Sequence, residues 1–113
     1  MTSRLYPPRD VEMLVTIYMD GIPFAMCMAE KASLSAMLIR LSPWALYPDS
    51  ITEVEFTAET RQGPERYRIP VSVDKVRDNR ARLMFKPMKP ETLNALRHFL
   101  YEAEPADAAK TAG

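Results

Sequence analysis

Two runs of period-two alternation flank the turn-forming Arg61-Gln-Gly-Pro64, a pattern that suits strands and not helices. In Thr52 to Glu59, Val54, Phe56 and Ala58 alternate with Glu53, Glu55, Thr57 and Glu59. In Arg66 to Val73, Tyr67, Ile69, Val71 and Val73 alternate with Arg66, Arg68, Pro70 and Ser72. Pairing Ala58 with Tyr67, Phe56 with Ile69 and Val54 with Val71 puts all six on one face and leaves acids and bases mixed on the other. Pro70 cannot donate a ladder hydrogen bond, which assigns it to an edge or a bulge.

The same logic extends in both directions. Val11, Met13, Val15, Ile17 and Met19 line one side of a first strand, and Asp20-Gly21, able to take positive φ at both turn positions, leads into a second over Phe24 to Glu30. Leu34 to Leu41 reads as the third strand. Pro43 and Pro48 bracket a loop, Trp44 to Tyr47, with a large aromatic anchor. Asp78-Asn79 is a further turn, after which Ala81, Leu83 and Phe85 alternate with Arg80, Arg82, Met84 and Lys86 in a sixth strand. The period then changes. Pro90 to Tyr101 carries a proline suited to a first helical turn and Leu93, Leu96 and Leu100 along one stripe. The expected fold is mainly β: a six-stranded antiparallel β-barrel, closed so that no edge is exposed, with a C-terminal α-helix over one opening.

A chain of 113 residues fits one domain. Residues 1–10 are expected as a flexible N-terminal arm, 11–104 as the barrel and helix, and 105–113, which lack a large apolar residue, as a disordered tail. The apolar runs are far too short for a bilayer, and Met1 to Arg9 lacks the apolar core of a secretory signal, so a cytoplasmic protein with no direct membrane insertion is expected. Fifteen basic and fifteen acidic residues balance, and nothing global draws the chain to nucleic acid.

Catalytic chemistry finds little support. Cys27 is the only cysteine and His98 the only histidine, so neither a thiolate metal site nor a nucleophile with its base can be assembled from them. Cys27 reads as a small core residue and His98 as a helical surface residue. Glu53, Glu55 and Glu59 alternate outward on a strand, as a solvated face does, and no metal is assigned. The glycines, at 21, 63 and 113, make no phosphate loop. No catalytic residue and no cofactor is expected. Arg66 and Arg68 across from Lys86, with Arg80 and Arg82, would form a local basic ribbon. Arg4 and Arg9 precede the first strand in a proline-containing arm, where guanidinium groups are suited to capture phosphate or carboxylate.

This order of elements, an arginine-bearing arm, a hairpin, a short polar segment entering a third strand, two further hairpin strands and a terminal helix, resembles the bacterial PilZ domain across about residues 4 to 101. The resemblance implies a six-stranded barrel and, as ligand, cyclic di-GMP, held by an Arg-x-x-x-Arg arm and an Asp/Asn-x-Ser-x-x-Gly loop. Here the arm is Arg4-Leu-Tyr-Pro-Pro-Arg9, one residue longer between the arginines, and the loop aligns as Lys31-Ala-Ser33-Leu-Ser-Ala36, keeping only Ser33. Lys31 is donor-only and cannot accept from guanine or arginine N–H groups. Ala36 has the Cβ that glycine lacks.

Those departures imply an adaptor of a motility, pilus or exopolysaccharide system that acts by protein–protein contact, with weak or no cyclic di-GMP binding. The competing expectation is a true receptor using Arg4, Arg9, Lys31 and Ser33 as its nucleotide-binding residues. Single-stranded nucleic acid ranks last, since Tyr18 is the one obvious outward strand aromatic. Leu14, Tyr18, Trp44, Tyr47 and Met84 are the candidate partner-binding residues, at outer or loop positions.

Overall fold

The computed structural model describes residues 7–41 and 50–102. Six strands form the body: β1 (Arg9–Met19), β2 (Ile22–Ala32), β3 (Ala36–Arg40), β4 (Glu53–Thr60), β5 (Gly63–Arg77) and β6 (Arg80–Phe85). They pair antiparallel in the ring β1-β2-β3-β6-β5-β4, which closes where β1 meets β4 through Thr16–Glu55, Ile17–Val54 and Tyr18–Glu53. The expected barrel is present. Helix α1 (Pro90–Arg97) follows and continues as a π-helical turn, His98–Glu102.

Asp20 and Gly21 both take positive φ, as do Asp78 and Asn79, so the β1–β2 and β5–β6 connections are the two-residue turns that their sequences favour. Inside the ring, Val15, Ile17, Val54, Phe56, Ile69, Val71 and Leu83 are fully buried. Each contributes about 1.5–3 kcal/mol of burial. Ala29, Ala32 and Ala81 are buried among them, because a barrel this small leaves room for large side chains only where small ones face them. Cys27 is buried there too.

Several boundaries and one register differ from expectation. Phe56 faces Tyr67, Val54 faces Ile69 and Ala58 faces Glu65, two residues away from the pairing that burial suggested. A shift of two keeps every side chain on its face, so the apolar pattern cannot detect it. The tight turn decides: Gly63, at φ 107°, already starts β5, and Thr60 donates to its carbonyl at 2.7 Å. β2 runs on through Lys31 to Ala32, and β3 is correspondingly short. β1 begins at Arg9, so Arg9 and Asp10 lie in the strand, paired with Ala32 and Lys31, and not in an arm.

β5 extends to Arg77 and changes partner along its length, from β4 as far as Pro70 to β6 from Val71. Pro70, which has no N–H to give, sits at the changeover, and its carbonyl accepts from Lys86 at 2.8 Å. Arg66 and Arg68 therefore face Thr57 and Glu55, and the expected ribbon with Lys86 does not form. Lys75 and Arg77 take that place, opposite Arg82 and Arg80.

The helix closes one end of the barrel through Thr92, Leu96 and Leu100, all buried, and Leu93 of the expected stripe is only half-buried. Leu96→Ala should cost about 2–5 kcal/mol, read as a lower urea midpoint, because the removed side chain leaves a cavity where helix and barrel meet.

Candidate functional site

The β2–β3 junction is built by one hydroxyl. Ser33 Oγ accepts from the backbone N–H of Ser35 at 3.1 Å and of Ala36 at 3.2 Å, and lies 3.2 Å from Ser35 Oγ. The Ser33 N–H donates to the Ala36 carbonyl at 2.9 Å, completing a serine turn that feeds directly into β3. Ser33 is 8% exposed. Lys31 stands on the outer face of β2, 3.1 Å from Asp10 of β1, with both side chains well solvated. Such a pair contributes little stability, about 0–1 kcal/mol, yet it gives the ammonium a local partner.

Arg9 is paired with Ala32 beside this junction. Its guanidinium lies 5.7 Å from the ring centroid of Tyr101, whose hydroxyl donates to the Pro7 carbonyl at 2.7 Å. The strand entry is thus held against the π-helical turn. Between Pro8, the serine turn and α1 opens a cleft of about 710 Å³, whose lining includes Leu34, Leu38 and Leu93 together with Lys31 and Arg82. Lys31 and Ser33 both line this cleft, and Arg9 is not among its lining residues. Arg4 lies outside the described residues.

The backbone of this arrangement is shared with known structures. The PilZ domain of CeSA from a cellulose-synthesizing bacterium superposes with a TM-score of 0.62 over 86% of this chain and 97% of its own, at 12% identity. The Bacillus subtilis inhibitor of motility MotI/DgrA gives 0.62 over 92% of this chain, at 10% identity, and the chain spans 52% of that protein. The fold is PilZ-like. No protein-family model and no curated protein matches the sequence.

The outer wall of the PilZ-like barrel carries features that side-chain type alone does not announce. Leu14 is 52% exposed and pairs with the exposed Met28. Beside them Met26 is 57% and Phe24 40% exposed, and Ile22 ends the run at the hairpin. This apolar stripe along β2 was legible only as the outward parity of that strand, and Leu14 alone was anticipated. Tyr18 shares the outer side, but the Arg68 guanidinium covers its ring at 3.9 Å and leaves it 7% exposed, so it offers no free contact surface. Met84 is half-buried, and Trp44 and Tyr47 lie outside the described residues. His98 is exposed. Among the described residues, no three metal-ligating side chains cluster.

Glu30 was not singled out from sequence, yet it organises the wall. It sits where the β2–β3 register breaks, and its carboxylate accepts from Arg80 Nε at 2.6 Å and from Arg40 Nε at 2.7 Å. Arg80 first, and Arg40 with it, holds the Glu30 carboxyl below the usual carboxylate range against the opposing effect of its partial burial. A lowered folded value means that this contribution is complete above the ordinary glutamate range and is lost as pH falls through the depressed value. Glu30→Gln should therefore flatten the decline of the urea midpoint at acidic pH while lowering the midpoint at neutral pH.

Proposed function

We propose that this chain is a PilZ-like regulatory adaptor, without catalytic activity, that works by protein contact and binds cyclic di-GMP weakly or not at all. The observation that carries the reading is the serine turn: the hydroxyl in the place of the nucleotide loop is already occupied by the backbone of Ser35 and Ala36. Ala36 stands in β3, with none of the left-handed backbone that a glycine there would allow. Lys31 faces Asp10, and Arg9 packs on Tyr101. Opening these contacts to admit a ligand would subtract from its affinity. The stripe from Ile22 to Met28, with Leu14, supplies an exposed apolar surface of the kind that partners cover. A motility or exopolysaccharide system is the setting that the two structural neighbours support, one an inhibitor of motility and the other from a cellulose-synthesizing bacterium, and a pilus system is the third setting in keeping with the resemblance. No described helix is long and apolar enough to cross a membrane.

Titration calorimetry of the purified chain with cyclic di-GMP should give no saturable sub-micromolar binding. Such binding, abolished by Arg4→Ala with Arg9→Ala, would overturn the reading. The receptor alternative draws on the cleft, whose volume of about 710 Å³ falls within the range of small-molecule sites. It requires Arg4, Arg9, Lys31 and Ser33 to converge there, so unchanged N-terminal resonances under saturating nucleotide would remove it.

A further inference from the structure

The barrel register sets like charges against one another. Arg40 of β3 faces Arg80 of β6, which faces Arg77 of β5. In the next outward row Leu38 faces Arg82, which faces Lys75. Directly opposed like charges weaken strand pairing, so this wall is not arranged for stability alone. Two register breaks bring in carboxylates: Glu30 takes Arg40 and Arg80, and Asp74 lies 3.9 Å from Arg82. Lys75 and Arg77 have no ion pair among the described residues.

Lys75, Arg77, Arg80 and Arg82 line a groove of about 260 Å³ together with Leu38 and Asp78, and Leu38 and Arg82 also line the apolar cleft. The two depressions share a wall. We propose that they dock one acidic protein segment, with its carboxylates on Lys75, Arg77 and Arg82 and an apolar side chain in the cleft between Leu34 and Leu93. This inference rests on the protein-contact reading above and names the partner's chemistry.

Charge selects that occupant. Glu30 already shows a carboxylate seated between two of the arginines. Among the described residues no aromatic side chain lines the groove, so bases would find nothing there to stack on. Glu30, Asp74 and Asp78 lie among the cations and would meet a uniformly anionic lipid surface with like charge. The groove spans β3, β6 and β5, strands already paired with one another there, so a segment in it lies on the wall and does not extend the sheet.

The test is an NMR titration of the isotope-labelled full chain with an oligoglutamate peptide carrying a leucine tract, with plain oligoglutamate, and with phosphatidylglycerol vesicles. The leucine-bearing peptide should shift the amides of residues 34–38 and 75–82 saturably and bind more tightly than plain oligoglutamate. K75E/R77E should weaken it about tenfold or more. That variant places acids opposite Arg82 and Arg80, so its melting temperature should not fall, and lost binding cannot be lost folding. Absence of saturable shifts at millimolar peptide, equal affinity of the variant, or capture by vesicles without peptide binding would each overturn the inference. Calorimetry with cyclic di-GMP judges the adaptor reading separately, so the two can fail independently.

Discussion

Closure of the ring through β1 and β4 is the constraint on which the rest of this molecule depends. Three residue pairs make it, and without them β1 and β4 would each present a row of unpaired backbone groups. Thr52 reinforces the seam: its N–H donates to the Tyr18 carbonyl at 2.8 Å, and its hydroxyl accepts from the Asp20 N–H at 2.9 Å. Arg68 adds a lid over Tyr18 while reaching toward Glu53 and Glu55, each at 3.6 Å. The seam is thus built from outer-face chemistry, while the apolar interior fills behind it.

Where the ring is paired, recognition has to come from side chains on the wall or from the cleft at the helix end. The wall divides by chemistry along single registered rows. One row runs Leu14, Met28, Arg40, Arg80, Arg77 across five strands, apolar at one end and cationic at the other. A chain with no net charge can in this way hold a strongly local field.

Much of this fold can be read from residues alone, for reasons that particular elements make plain. Asp20-Gly21 and Asp78-Asn79 specify their turns through backbone preference, and alternation such as Val54, Phe56, Ala58 specifies which side faces inward. Alternation has period two, however, so it is blind to a shift of two residues, and the β4–β5 register lies that far from the pairing that burial alone favours. The bulges were equally hidden. Glu30 and Asp74 look like ordinary strand and turn acids until the register breaks beside them. At the site, Ser33 and Lys31 stand at the β2–β3 junction, but their partners, the N–H groups of Ser35 and Ala36 and the carboxylate of Asp10, are set by backbone geometry that the apolar pattern does not carry.

The bond from Tyr101 to the Pro7 carbonyl has a mechanical meaning. It brings the first and last parts of the described chain to one point on the rim, so a domain of this kind joined into a longer polypeptide would hang from its tether as a side loop and not act as a link in series. Tension along that polypeptide would load this contact first. The barrel would stay shielded until the rim had parted.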